Sequence, residues 1–357
     1  MIKTAIIGCG VIADAHAEQI QRIPSCEIVG VCDKEELMAR QLYDRFEVKH
    51  YFSDVNKLLE EARPHIVHIT TPPQSHFELG RLCLEAGCNV YMEKPFTLNT
   101  SEAEHLIELA SKTNLKITAG HNLQFSHEAM RMRELINNGF LGGDPVHMES
   151  IYCYDLGDER YAKVLLGDKT HWVRKLPGKL LHNVISHGVS RIAEFLKTDY
   201  PKVVAHGFTS PFLKSIGETE IIDELRVIIS DNASTTAYFT FSSQISPGQN
   251  YFRICGSENS LIVDHVNRTL IQANNKGYKS YMKYFVTPLS YGSQYLQNSV
   301  HNIAQFLRRD FHDDSGMKLL IASFYHSVLD DTPLPIPYKD IIVTSRIMDA
   351  IFEQIYS

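Results

Sequence analysis

Up to about residue 120, short apolar runs alternate with stretches in which apolar positions recur every three or four residues. The runs are Thr4–Ile7, Glu27–Cys32, a weak one at Val48–Phe52, Ile66–Thr70, Asn89–Met92 and Lys116–Ala119. Helical patterns fall between them, as at Glu35–Arg45, with Asp33 near its start, and Glu102–Lys112, preceded by the capping residues Thr100 and Ser101. Apolar strands separated by helices are the pattern of a doubly wound parallel sheet covered on both faces.

After a helix expected over Ser126–Asn138, closed by Gly139, the period changes to two. Strands are expected at Val146–Tyr154, Lys202–Phe208, Glu224–Ser230, Ser234–Phe241, Tyr251–Cys255 and Ser260–Asp264, with hairpin turns at Asp231-Asn232 and Gly256–Asn259. Helices over Ser293–Arg309, Gly316–Leu329 and Lys339–Tyr356 close the chain. The fold class expected is therefore α/β: a Rossmann-type parallel sheet in residues 1–121, followed in 122–357 by an α+β domain with a large, mostly antiparallel open sheet.

Composition narrows the function classes. The 357 residues exceed the roughly 250 to 300 at which one core stops growing, which favours two domains. A net charge of -7 with scattered basic residues lacks the footprint of a nucleic-acid binder, so small-molecule partners are expected. No stretch reaches the ~20 apolar residues of a membrane span, and the chain enters its first strand without a leader, so a cytoplasmic protein with no membrane partner is expected. Seven cysteines, odd in number and never spaced CxxC, read as reduced core residues, with no metal site.

Gly8-Cys9-Gly10-Val11-Ile12-Ala13 fits G-x-G-x-x-G/A directly after the first strand and at the start of the first helix. There Gly8 allows the tight turn, Gly10 lets backbone approach a pyrophosphate, and Ala13 lets helix and strand pack closely. The helix N-terminus supplies unpaired N–H groups and a favourable dipole. Asp33 follows Gly10 by 23 residues, where an acidic side chain accepts from ribose hydroxyls and repels a 2'-phosphate. NAD is thus the expected cofactor, with Lys34 beside Asp33 softening the preference; the plainer role for Asp33 is a helix cap, and the two are compatible.

Strand five runs into Glu93-Lys94-Pro95-Phe96, which puts a lysine at the carboxyl edge of the sheet, where open α/β folds bind ligands. Pro95 restricts the backbone of Lys94, and the ammonium can give a hydrogen bond or proton to a reacting oxygen. With the glycine turn, Asp33, Thr71-Pro72-Pro73-Gln74-Ser75-His76 and a downstream helix carrying Asn183 and His187, the sequence resembles, nearly end to end, the glucose-fructose oxidoreductase, inositol dehydrogenase and MocA (Gfo/Idh/MocA) family. The resemblance implies NAD or NADP binding and chemistry at a sugar or cyclitol carbon. It implies that Thr71, Pro72 and Gln74 line the cofactor path and that His76 starts the next helix. Glu93 would approach the nicotinamide ribose, Lys94 would touch cofactor and substrate, and Asn122 would sit near the nicotinamide. A capping or packing role is the alternative for His76.

Leu176 to His187 resembles the family stretch that reads Gly-Gly-rich turn, then Asp, then His four residues later. Residues i and i+4 share a helix face, so Asn183 and His187 can serve one substrate. Histidine, with an ordinary pKa of ~6.5, suits a general base for a hydroxyl proton. Asn183 replaces the family's Asp and cannot ionise. His182 lies about 100° around the helix and is a secondary candidate. Tyr154, Trp172 and Arg174 in the preceding segment suit a sugar face, or equally a buried loop. Asn274–Tyr295, with five tyrosines and three lysines, reads as a substrate lid or a solvated loop.

Three functions follow as expectations. The first is an NAD-dependent oxidoreductase acting on a sugar, sugar-derivative or cyclitol CH–OH carbon, with Lys94 and His187 assisting proton transfer. The second is a redox-neutral glycosidase or epimerase that retains NAD and passes through a transient keto-sugar. The third is a non-catalytic NAD-binding sensor. A free sheet face, as in relatives, favours a homodimer or homotetramer.

Overall fold

The structure, a computed structural model, describes residues 1–155, 169–231, 234–275, 277, 279, 281–308 and 315–356. It divides into two compact units: Met1–Asn122 with Met317–Arg346, and Leu123–Gly316 with Ile347–Ser357.

The first unit holds six parallel strands: β1 (Ile2–Ile7), β2 (Cys26–Cys32), β3 (Tyr51–Phe52), β4 (Ile66–Ile69), β5 (Asn89–Met92) and β6 (Ile117–Ala119). Their order is β3-β2-β1-β4-β5-β6. This order reverses direction between β1 and β4, the place beyond whose carboxyl ends open parallel sheets bind ligands. Helix α1 (Val11–Gln21), α2 (Glu36–Phe46), α3 (Val55–Ala62), α4 (His76–Glu85) and α5 (Thr100–Lys112) make the connections. The strands are buried almost throughout, which is why they read as continuous apolar runs. Two helix starts differ from expectation. Asn99, not Thr100 or Ser101, caps α5 by accepting from the Glu102 N–H at 3.0 Å, and Glu35 is the N-cap of α2, with Asp33 Oδ1 accepting its N–H at 3.0 Å.

The N-terminal stretch of the first unit ends at Asn122, one residue beyond the expected division, and residues 317–346 fall in that unit rather than in the expected run 122–357. The cause is burial. Phe324 and Tyr325 are fully buried, and Lys116 Nζ donates to the Ser327 carbonyl at 2.6 Å and the Thr332 carbonyl at 2.9 Å.

The second unit carries seven strands in the order β13-β12-β11-β7-β10-β9-β8. They are β7 (His147–Asp155), β8 (Lys202–Phe208), β9 (Glu224–Ser230), β10 (Thr236–Ser242), β11 (Gln244–Cys255), β12 (Asn259–Asp264) and β13 (Thr269–Asn274). Neighbours run antiparallel except β7 and β10, which are parallel. Its helices include α6 (His127–Asn137), α7 (Lys179–Val184), α8 (Ser186–Ala193), α9 (Pro211–Ser215) and α10 (Lys283–Leu307). Helices α11 (Ser315–Asp330) and α12 (Tyr338–Tyr356) follow. The 283–295 part of the expected lid or loop is therefore helix.

Gly188 sets how closely α8 meets the sheet, because a Cβ there would stand 2.3 Å from the Phe239 ring. Strand β8 alternates exposed and partly buried positions along its whole length; its exposed Val204 pairs with Ile228 of β9, itself opposite Tyr238 of β10, and all three are exposed. Among the described residues no helix is long and apolar enough to cross a membrane.

Candidate cofactor and catalytic sites

The two glycines of the first turn are required for different reasons. Gly8 has φ +97°, and a Cβ there would lie 2.7 Å from the Thr71 backbone nitrogen, so the fold itself demands glycine. Gly10 has φ -76°, and a Cβ there would meet nothing within 4 Å. Backbone conformation does not demand glycine at Gly10, and the space beside it is open. Helix α1 begins there without a side-chain cap, its first residue Val11 is 97% exposed, and Ile12 is also exposed, while Ala13 is fully buried against the sheet. The first turn of α1 thus presents uncapped N–H groups to open space.

Asp33 directly follows β2, and its carboxylate accepts N–H bonds from Cys9 at 2.8 Å and Glu35 at 3.0 Å. It ties the glycine turn to the second strand and keeps lone pairs for further donors. Lys34 is exposed beside it. After β4, Thr71 and Gln74 flank the proline turn, with Thr71 Oγ1 accepting from the Ser75 hydroxyl at 2.7 Å. Pro72 and Gln74 are exposed.

His76 is fully buried at the start of α4. Its Nδ1 lies 2.9 Å from the Pro95 carbonyl, and its Nε2 lies 2.8 Å from the Thr71 carbonyl. It clamps the loop after β4 to the Glu-Lys-Pro turn, and burial pushes its pKa down against these carbonyl contacts. The ring packs between the loop after β4 and the Glu-Lys-Pro turn.

Glu93 is buried, and its Oε2 accepts the Lys94 N–H at 3.1 Å. Burial raises the carboxyl pKa, but the His16 ring, the Lys94 charge and the Lys94 N–H outweigh it, and the net shift is downward. Lys94 is half-buried, and its Lys94–Pro95 peptide is cis. Burial presses the ammonium pKa down, while the Glu93 carboxylate opposes the shift. After β6, the Asn122 Oδ1 is buried with no hydrogen-bond partner among the described residues. The sequence reading missed Gly120, where a Cβ would stand 2.8 Å from Glu93 Oε1, and His121, whose pKa burial drives down to about 4.

In the second unit the expected single helix over Asn183 and His187 is interrupted for one residue at Ile185. Ile185 keeps helical angles, φ -79° and ψ -15°, so the chain direction continues. Asn183 is half-buried; His187 is buried with its ring 6.0 Å from Tyr152. One turn on, Arg191 is fixed by Asn250 at 2.8 Å and Ser150 at 3.0 Å, which anchors α8 to β7 and β11.

The remaining candidates pack within this unit. His182 stacks on Phe352 with ring centroids 5.0 Å apart, and Arg174 pairs with Glu218 at 2.6 Å, the two side chains 9% and 10% exposed. Trp172 is half-buried against the cluster of Val173, Leu180, Leu213 and Ile221. Tyr154 lies in β7, and its side chain falls outside the described part of the chain. Lys94 and His187 belong to different units.

Residues 2–121 match the profile of the family described as "Oxidoreductase family, NAD-binding Rossmann fold". A D-glucoside 3-dehydrogenase of Escherichia coli (strain K12) is 30% identical over 142 residues, 40% of each chain. A UDP-N-acetylglucosamine 3-dehydrogenase of Acidithiobacillus ferrooxidans is 32% identical over 149 residues, 42% of this chain and 44% of its own. A myo-inositol 2-dehydrogenase of Thermotoga maritima is 26% identical over 141 residues, 40% of this chain and 42% of its own. The chain thus matches about two fifths of the length of these curated relatives.

The likeness of fold extends further. The solved Acidithiobacillus ferrooxidans enzyme superposes with a TM-score of 0.71 at 20% identity, covering 99% of this chain and 97% of that one. An NAD-binding oxidoreductase from Klebsiella pneumoniae gives 0.79 at 19% identity, covering 100% and 97%. Residues 2–121 are thus similar to the NAD-binding Rossmann domain of the Gfo/Idh/MocA oxidoreductases.

Proposed function

We propose that the protein is an NAD-dependent oxidoreductase acting on a CH–OH carbon of a sugar, sugar derivative or cyclitol. The observation that carries the reading is the open space at Gly10 beside the uncapped N-terminus of α1, in a turn where Gly8 is fixed by its φ of +97°. That open space suits a pyrophosphate, and Asn122 Oδ1, buried with no hydrogen-bond partner among the described residues, would accept from an amide of the cofactor. Asp33 would hold the ribose hydroxyls and favour NAD over NADP. Bound NAD supplies the two-electron acceptor; the chain supplies the proton handling. Lys94, as an ammonium, polarises the oxygen of the reacting carbon, and His187 takes the hydroxyl proton. Asn183 orients that hydroxyl and stays neutral. The sugar and cyclitol dehydrogenases among its relatives support the substrate class. The exposed Val204, Ile228 and Tyr238 fit a homo-oligomer surface.

The test is Lys94→Ala. Turnover on a responsive sugar should fall at least ~10³-fold while the NAD dissociation constant changes less than ~10-fold. Unchanged turnover would remove Lys94 from the mechanism. Asn183 in the place of an acid favours one second reading, a redox-neutral enzyme that retains its NAD. Such a protein purifies with the cofactor bound and turns over without any added.

A further inference from the structure

Helix α10 is held to its unit by amides rather than by apolar side chains. Over its 25 residues the one that is buried is Asn298. Asn298 Nδ2 donates to the Leu270 carbonyl at 2.9 Å, and its Oδ1 accepts the Leu270 N–H at 3.1 Å. One turn earlier Gln294 repeats the pattern: its Nε2 donates to the Gln272 carbonyl at 3.1 Å, and its Oε1 accepts the Gln272 N–H at 2.7 Å. The two amides thereby satisfy the free backbone of β13, the edge strand of the sheet. Asn302 adds a bond to the Asn267 carbonyl at 3.2 Å.

The apolar residues point the other way. At about 100° per residue, Phe285, Leu289, Leu296, Val300, Ile303 and Leu307 fall within about 60° of one another, opposite Gln294 and Asn298. All six are between 59% and 75% exposed. Tyr284, Tyr295 and Phe306, also exposed, border the stripe on one side. A surface helix of a globular unit ordinarily turns such a stripe to the core, and α10 turns it outward. At on the order of 100 Å² per side chain the stripe presents about 600 Å², the upper end of the largest apolar patch on a typical monomer.

Charge distinguishes what could cover it. From His265 to Arg309 there is no aspartate or glutamate, although the chain carries 42 in 357 residues. The same stretch holds Arg268, Lys276, Lys279, Lys283, Arg308 and Arg309, so the net charge of -7 divides into +6 here and -13 over the rest of the chain. A second copy packed stripe against stripe would bring this run against itself, where it offers no carboxylate to answer its own lysines and arginines. An anionic bilayer answers both features: acyl chains take the apolar side chains, and the phosphates of the headgroups take the ammonium groups. Tyrosines at the border of the stripe suit the headgroup level, where one end of the ring is apolar and the other wet.

We propose that α10 is a membrane-docking helix that lies flat on a bilayer containing anionic lipid, with Phe285, Leu289, Leu296, Val300, Ile303 and Leu307 in the acyl boundary and Lys279 and Lys283 on the headgroups. The expectation of no membrane partner rests on the lack of a spanning stretch, which a helix lying in the interface does not need. The proposal is independent of the dehydrogenase reading, since it uses no residue of that site.

The experiment is co-sedimentation of the full-length protein with sucrose-loaded vesicles of phosphatidylcholine, with and without phosphatidylglycerol as a third of the lipid. The protein should pellet with the anionic vesicles at least ~10-fold more strongly than with the neutral ones, and less as salt rises. Leu289→Ser/Leu296→Ser/Ile303→Ser should bind the anionic vesicles at least ~10-fold more weakly while melting like the wild type, because the three side chains are exposed. Lys279→Gln/Lys283→Gln should lose about 10- to 30-fold on the anionic vesicles and little on the neutral ones. No binding to the anionic vesicles, equal binding to both kinds, or full binding by the triple serine variant would overturn the proposal. Light scattering without vesicles supplies the remaining decision: an oligomer of the wild type that the triple serine variant dissolves into monomers, with no vesicle binding, would make a second copy the occupant and overturn the membrane.

Discussion

The two glycines of the first turn should separate a requirement of the fold from a requirement of the ligand. At Gly8 an alanine would hold a left-handed backbone, which costs about 1–2 kcal/mol. Its Cβ would also meet the backbone of Thr71 at 2.7 Å and the Thr70 carbonyl carbon at 2.8 Å, and displacing main chain adds ~1–3 kcal/mol. Gly8→Ala should therefore lose about 2–5 kcal/mol and melt roughly 5–15 °C lower. At Gly10 the added methyl meets nothing. Losing glycine at the helix start costs ~0.5–1 kcal/mol, and the stiffer unfolded chain returns about 0.4–1 kcal/mol, so the melting temperature should move by no more than ~4 °C. A pyrophosphate displaced by that methyl loses at least one charge-assisted bond to backbone N–H, worth about 1.5–3 kcal/mol, or roughly a 10- to 150-fold weaker dissociation constant. Thermal melts and titration calorimetry with NAD read both quantities. Gly10→Ala binding NAD as tightly as the wild type would refute the placement of the pyrophosphate. Gly8→Ala melting like the wild type would refute the strain argument.

Asp33→Ala should weaken NAD binding about 10-fold and shift the NAD/NADP preference toward NADP, measured as a ratio of dissociation constants. It should also cost stability, since the N–H groups of Cys9 and Glu35 lose their acceptor. Arg174→Met should destabilise the second unit by ~2–4 kcal/mol, read by urea unfolding, because Glu218 is left with only the N–H groups of Glu220 and Ile221. Burial raises the Glu218 pKa, but Arg174 and those N–H groups bring it below its ordinary value. The stability it contributes is then present above the unfolded pKa near ~4.3 and is lost as pH falls through the folded one. Arg174→Met should flatten the stability curve in that acid window, and an unchanged slope would detach Glu218 from acid unfolding.

The local parts of this molecule were readable from sequence, and the non-local parts were not. Buried parallel strands such as Asn89–Met92 show as apolar runs because both faces are covered. The first half of β11 escaped notice because Pro247 and Gly248 read as a turn where the strand is bulged. Thr269–Asn274 places Leu270 and Ile271 side by side, which breaks the alternation that marks a strand. Pro288, inside α10, hid the first turns of that helix. The glycine turn and the Glu-Lys-Pro segment announce themselves because their chemistry is contiguous. The buried contact between His68 and Tyr325 does not, since it spans 257 residues of sequence. Arg174 and His182 look like ligand-facing residues until Glu218 and Phe352 are found beside them, because a basic or aromatic residue does not name its partner.

The central claim is that this chain moves a hydride between NAD and a sugar or cyclitol carbon. The most direct measurement is the near-ultraviolet band of reduced nicotinamide, followed while the protein and NAD are mixed with a panel of pyranosides, nucleotide sugars and inositols. The account predicts that the band grows with at least one member of the panel and does so far more slowly with Lys94→Ala. No growth of the band with any of them, in free or protein-bound cofactor, would contradict it.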